Sequence, residues 1–158
     1  MQAHPVTDGI QWVGAIDWDR RLFDSLIPLP DGTSYNAYLI KGTSKTALLD
    51  TVDPTKTEVL MSSLRGVEKI DYVVVHHAEQ DHSGSLPAVL EKYKDAKVVC
   101  NSKCKEFLMD LLHLPEDRIT TIADGETLDL GGKTLEFIFT PWVHWPETVS
   151  TFLKEDGI

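Results

Sequence analysis

The feature that most restricts this chain is a four-residue apolar stretch, Tyr72 to Val75, that runs straight into His76-His77-Ala78-Glu79-Gln80-Asp81-His82-Ser83-Gly84. A short strand with no polar face is of the kind buried in a sheet covered on both sides. Residues just beyond such a strand stand at the rim of a core, and here they include three histidines and two carboxylates within seven positions. Imidazole and carboxylate together make the ligand set of iron, zinc and manganese sites. In an extended stretch alternate residues point the same way, so His77, Glu79 and Asp81 should share one direction. His82 arrives as the chain turns at Ser83-Gly84, which swings it toward a second point. The spacing predicts one strand end that feeds two metal ions a few ångströms apart. The plainer alternative is a polar loop rich in His and acid by accident, and five such residues after one buried strand weigh against it.

The rest of the chain reads as strands and helices in alternation, an α/β pattern. Ile10 to Asp17 reads as a first strand and Asp19 to Pro30 as an irregular, charged stretch. Tyr35 to Lys41 and Thr46 to Asp50 form an expected hairpin, with Gly42 to Lys45 as its turn. Asp53-Pro54 suits a helix cap followed by the first helical position, and the helix should run to about Arg65 with Val59, Leu60 and Leu64 as its apolar face. Helices at Ser85 to Tyr93 and Ser102 to Leu112 alternate with a strand at Lys97 to Cys100. Ile119 to Ile122, Thr127 to Leu130 and Thr134 to Phe139 read as short strands, with Gly131-Gly132 as a hairpin turn. Thr148 to Lys154 is one more strand, and Glu155-Asp156-Gly157 is a turn. Ile158 would then open a returning strand, so an unpaired edge and a longer parent protein are expected.

A second element of the site comes from far along the chain. His144 sits in Pro141-Trp142-Val143-His144-Trp145-Pro146, where two prolines should stiffen the loop and two tryptophans shield it from water. His76, by alternation, should point away from His77 and serve a structural part. His4 and His113 have no partners in sequence and are expected at the surface. Cys100 and Cys104 read as core thiols rather than a metal pair. With only two cysteines there is no disulfide scaffold, which suits a reducing compartment. A net charge of −10 disfavours nucleic acid and anionic membrane as partners. No stretch approaches the roughly 18 apolar residues of a membrane span, and Met1 to Gly9 lacks a signal-peptide pattern. The expected setting is cytoplasmic.

The His-x-Glu-x-Asp-His run and the later His-Trp-Pro together resemble the flavodiiron proteins, a branch of the metallo-β-lactamase superfamily. Asp17-Trp18-Asp19, the segment from Thr33 to Leu39, His82-Ser83-Gly84-Ser85-Leu86-Pro87 and Gly131-Gly132-Lys133-Thr134-Leu135 are similar to that family too. Glu79 is the discriminator, because hydrolytic members of the superfamily carry His at that position. The resemblance implies an αββα sandwich, of which residues 1–158 would form the N-terminal half to two-thirds, the remainder and an FMN-binding flavodoxin-like domain being absent. It implies that His77, Glu79 and His144 bind one iron and that Asp81 and His82 bind the other. No catalytic residue is implied beyond these ligands, and the family's bridging Asp and final His would fall after Ile158. The activity implied is reduction of O2 or NO. Electrons would pass through FMN from a rubredoxin-like or flavin donor, in a head-to-tail homodimer, and the fragment alone would be inactive and bind no FMN. Asp24 stands where many relatives place a His near the iron pocket, so it could either tune that pocket or lie on the surface. Two other readings stay open: a metal-dependent hydrolase of the same superfamily, and a non-catalytic fragment or one chain of a split protein.

Overall fold

The computed structural model describes residues 3–158, so the polar stretch read from Met1 begins outside the described residues. Seven strands make one mixed sheet, in the order His4–Thr7, Ile10–Trp12, Tyr38–Lys41, Thr46–Leu49, Tyr72–Val74, Lys97–Cys100 and Ile119–Thr121. The pairings up to Thr46–Leu49 are antiparallel and those beyond it are parallel. Tyr72–Val74 lies inside the sheet, with Val73 opposite Leu48 on one side and Val98 on the other.

The sheet's two faces explain why that strand has no polar side. Val73, Leu48, Leu39 and Val98 face helices Thr57–Ser63, Leu86–Lys92 and Ser102–Leu112, which supply Leu60, Leu86, Val89 and Leu108. Val74, Leu49, Ile40 and Val99 face a second, three-stranded antiparallel sheet of Thr127–Asp129, Thr134–Phe139 and Val149–Leu153. Leu135, Phe137, Val149 and Leu153 fill the space between the sheets. Each such side chain contributes about 1.5–3 kcal/mol by leaving water. The layering is therefore helix, sheet, sheet, three of the four layers of an αββα sandwich among the described residues.

Several elements differ from the expectations set by the sequence. Ile10 to Asp17 is two strands, because the chain leaves the large sheet at Gly14 and Ala15–Asp17 pairs instead with Thr33–Tyr35. A Cβ at Gly14 would sit 2.1 Å from the Tyr35 carbonyl oxygen, so only glycine permits that crossing. His4–Thr7 is an edge strand that sequence reasoning missed, and its Pro5 is tolerated there because one side of an edge strand has no ladder to complete. Within the irregular stretch, Leu22–Phe23 and Ile27–Pro28 form a small ribbon. Its turn places Asp24 and Ser25 at φ 50° and 56°, the left-handed pair of a tight hairpin. The turn at Glu155-Asp156-Gly157 forms, and the Leu153 amide donates to the Ile158 carbonyl at 2.6 Å. Among the described residues no helix is long and apolar enough to cross a membrane.

Candidate metal centre

The polar run is not extended, contrary to the alternation expected of it. After Glu79 the chain winds into a single helical turn, Gln80–Ser83, with the His82 and Ser83 amides donating to the Glu79 carbonyl at 3.0 and 2.8 Å. His77 and Glu79 precede the turn, whereas Asp81 and His82 ride on it. The turn is anchored from outside: the Thr51 amide and hydroxyl both donate to the His82 carbonyl, at 2.8 and 2.6 Å. The Ser83 hydroxyl donates to the Ala78 carbonyl at 2.7 Å.

The five expected ligands nonetheless meet. Glu79 Oε2 lies 2.6 Å from His144 Nε2 and 3.4 Å from His77 Nε2. Asp81 Oδ2 lies 3.5 Å from His82 Nε2. The His77 ring centroid is 4.7 Å from that of His82 and 5.0 Å from that of His144. Two overlapping donor sets result, His77-Asp81-His82 and His77-Glu79-His144, each with its ligand atoms within 4.8 Å of one another. His77 belongs to both.

Burial makes this arrangement costly without a cation. His77 Nε2, Asp81 Oδ1 and His82 Nδ1 are buried with no hydrogen-bond partner. A buried polar group left unpaired costs about 1–3 kcal/mol. His82 Nδ1 faces Asp50 Oδ2 at 3.7 Å, whereas His77 and Asp81 stand in the donor cluster, so their unpaired atoms fit a site whose missing partner is a metal ion. Burial also pushes the Asp81 carboxyl above its ordinary range and pushes His77 below its own. The second shift favours the neutral imidazole, the form that binds metal. The residues present therefore fit one or two first-row divalent ions.

His76 behaves as alternation predicts and turns away from the ligands. Its Nδ1 is 2.7 Å from Asp50 Oδ2, its Nε2 is 2.7 Å from the Thr151 hydroxyl, and its amide donates to Asp50 Oδ1 at 2.9 Å. Burial alone would raise Asp50, but His76 and His82 outweigh it and hold the carboxyl below its usual value. Burial would likewise lower His76, and Asp50 overrides it upward. Sequence reasoning missed Asp50, Thr51 and Thr151, whose partners lie 26 to 75 residues away. Asp50 at φ 56° adopts a backbone conformation that hydrogen-bonding side chains such as Asp tolerate best, but nothing in the sequence announces it.

The His144 loop is less sheltered than expected. Trp142 is 76% and Val143 78% exposed, and the His144 side chain is 53% exposed. Of the two tryptophans, Trp145 packs inward, edge-on to Phe107 at 6.3 Å and to His77 at 6.2 Å. Asp24, itself exposed, lines a cavity of about 370 Å³ together with Arg20, Phe23, Glu79, Asp81 and Trp145. His4 and His113 are exposed, and Cys100 and Cys104 are buried free thiols, as expected.

Residues 33–158 match a family model described as ODP family beta lactamase. The chain belongs to that family. This ODP-family chain is 39% identical over 157 residues to a nitric oxide reductase of Moorella thermoacetica, a match covering 97% of the chain and 39% of that protein. It is 36% identical over 161 residues to a rubredoxin-oxygen oxidoreductase of Megalodesulfovibrio gigas, covering 100% of the chain and 40% of that protein. The crystal structure of the flavodiiron protein from Giardia intestinalis superposes with a TM-score of 0.91 at 34% identity, over 99% of this chain and 38% of that one. The chain thus spans about 40% of the length of these two curated relatives. The resemblance to flavodiiron proteins and the metallo-β-lactamase-like fold both stand.

Proposed function

We propose that this chain is the diiron-binding part of an oxygen or nitric oxide reductase, with His77, Glu79 and His144 on one iron and Asp81 and His82 on the other. The observation that carries the reading is the Glu79 carboxylate set between two imidazoles, 2.6 Å from His144 and 3.4 Å from His77. A carboxylate there hardens the ligand set and adds negative charge, which favours iron over zinc and the ferric state over the ferrous. The relatives named above for reduction of nitric oxide and oxygen support the same substrates here.

Bound iron supplies reducing equivalents and open coordination positions for a small diatomic molecule. The chain's residues do the rest. Burial keeps the His77 ring neutral and available, while Asp50 and Thr151 hold His76 out of the metal pocket. Phe23, Leu112 and Trp145 give the adjoining cavity an apolar wall alongside the charged side chains of Arg20 and Asp24, and its volume of about 370 Å³ suits a small substrate. In the whole protein, FMN on a further domain would supply electrons drawn from a rubredoxin-like or flavin donor, within a head-to-tail homodimer. Buried free thiols and an acidic pI of about 4.9 support a cytoplasmic setting with no nucleic-acid or membrane partner.

The test is anaerobic loading with ferrous iron, with metal stoichiometry measured for the wild type, Glu79→Ala and Asp81→Ala. Each variant should lose iron relative to the wild type, and the protein containing the full length of the relatives should consume NO or O2 with a reduced donor. Unchanged iron uptake in both variants, or a preference for zinc together with ester or lactam hydrolysis, would overturn the proposal.

A further inference from the structure

Glu147 is a carboxylic acid only 1% exposed, it belongs to neither donor set, and one of its oxygens, Oε2, has no partner. A group buried at that cost needs a reason. Its other oxygen, Oε1, accepts the Ala78 amide at 3.0 Å. Ala78 lies between His77 and Glu79, so this bond fixes the peptide from which two proposed ligands project. The Glu147 carbonyl accepts from Asn101 Nδ2 at 2.7 Å, and Asn101 Oδ1 accepts the Cys104 amide at 2.8 Å as the cap of helix Ser102–Leu112. One residue therefore joins three pieces: the His144 loop, the His77–Glu79 segment and a helix end.

His144 needs such an anchor. Its loop is exposed from Trp142 to His144, and the bonds within it, such as Trp142 amide to Trp145 carbonyl at 3.0 Å, fix its shape but not its place. Glu147 is the loop residue whose side chain bonds the backbone of the ligand-bearing segment. An apolar residue would fill the same space and leave the Ala78 amide unpaired. We infer that Glu147, held by Asn101, is a positioning residue that sets His144 against Glu79 and His77, so that this donor set is preformed before metal arrives. The inference rests on the metal-centre reading above and adds to it the device that aligns the site.

The experiment is titration of the metal-free chain with Co²⁺, with affinity taken by competition with a chelator and thermal stability recorded in parallel. Glu147→Ala should weaken Co²⁺ binding by about 10–100-fold, the usual loss when a group orienting a ligand is removed. Glu147→Gln keeps an oxygen for the Ala78 amide and should recover most of the affinity, at some loss of stability. Leu135→Ala, in the core between the sheets, should lower stability and leave affinity unchanged. Should Glu147→Ala fail to fold, Asn101→Asp keeps the cap oxygen, removes the donor to Glu147 and should weaken Co²⁺ binding as well. Wild-type affinity in Glu147→Ala or Asn101→Asp would overturn the positioning role alone, as would an equal loss of affinity in Leu135→Ala. A wild-type chain that takes up no cobalt would overturn the metal centre and the positioning role together.

Discussion

Replacing Asp50 tests the least visible part of the site, because its two oxygens satisfy two donors of His76, the amide at 2.9 Å and Nδ1 at 2.7 Å. In Asp50→Ala both donors lose their partner inside the protein, at about 1–3 kcal/mol each. Alanine must also take up the left-handed φ of 56° without a side chain to bond locally, at roughly 1 kcal/mol more. The expected loss is about 3–7 kcal/mol, a large share of the ~5–15 kcal/mol that holds a typical domain together. Asp50→Asn keeps an oxygen for the amide and gives up only the charge-assisted bond, so it should cost about 1.5–3 kcal/mol. That second cost depends on pH. His76 is raised above 6.5 on folding, so its contribution is fully present below 6.5 and is lost as pH climbs through the higher folded value. Asp50 is lowered below 3.8, so its contribution is present above 3.8 and is lost as pH falls through the lower folded value. The gap between wild type and Asp50→Asn should therefore be widest between 3.8 and 6.5 and shrink in alkaline solution. Urea denaturation of metal-free protein with chelator present, followed by tryptophan fluorescence across a pH series, measures it. A gap that stays constant as His76 titrates, or an Asp50→Ala loss below about 1 kcal/mol, would refute the reasoning.

Phe137→Ala removes a fully buried ring between the two sheets and should cost about 3–5 kcal/mol in the same denaturation assay. Gly84→Ala puts a Cβ 2.5 Å from both the Gln80 carbonyl oxygen and the Pro54 ring. It should destabilise by about 1–3 kcal/mol and, by shifting the turn that carries Asp81 and His82, lower the amount of iron retained on a desalting column. Asp71→Asn should lower the melting temperature at neutral pH, because Lys69, at 2.6 Å, and the Thr46 amide, at 2.9 Å, hold the carboxyl below its ordinary value against burial. That difference should vanish as pH falls through the depressed folded value.

Much of this molecule was legible because its signals are local. Tyr72 to Val75 has apolar residues facing both ways, and the structure gives each face its own core, helices against Val73 and the second sheet against Val74. Asp53 accepts the Thr55 amide at 2.9 Å with Pro54 at the first position, as the dipeptide announced. Thr134–Phe139 has the predicted bounds, since its alternation and the preceding pair of glycines leave little freedom. The failures are of another kind. The helical turn Gln80–Ser83 is held by Thr51, and a four-residue helix has no periodicity to detect. The break at Gly14 depends on the approach of Tyr35, and the partners of His76 come from Asp50 and Thr151. Candidate ligand types could be read from spacing, whereas Asp50, Thr51 and Thr151 could not, because their partners lie 26 to 75 residues away.

The origin of the two donor sets gives the centre a mechanical meaning. His77, Glu79, Asp81 and His82 come just after a strand of the large sheet, whereas His144 lies between the two longer strands of the second sheet, Thr134–Phe139 and Val149–Leu153. An ion shared by Glu79 and His144 therefore bridges from one sheet to the other at the end of the ribbon where Phe139 pairs with Val149. Without a cation, Glu79 and Asp81 bring two carboxyls into one largely buried pocket, and burial drives Asp81 toward its neutral form. A bound cation reverses that tendency, because it stabilises the ionised carboxylate and supplies the partner that His77 and Asp81 lack. Folding and metal binding are then linked. The native state gains about 2.7 kcal/mol when free metal stands at a hundredfold its dissociation constant. The groups whose burial weakens the apo protein are thus the same groups that make the loaded protein firmer, and the junction of the two sheets is where both effects act.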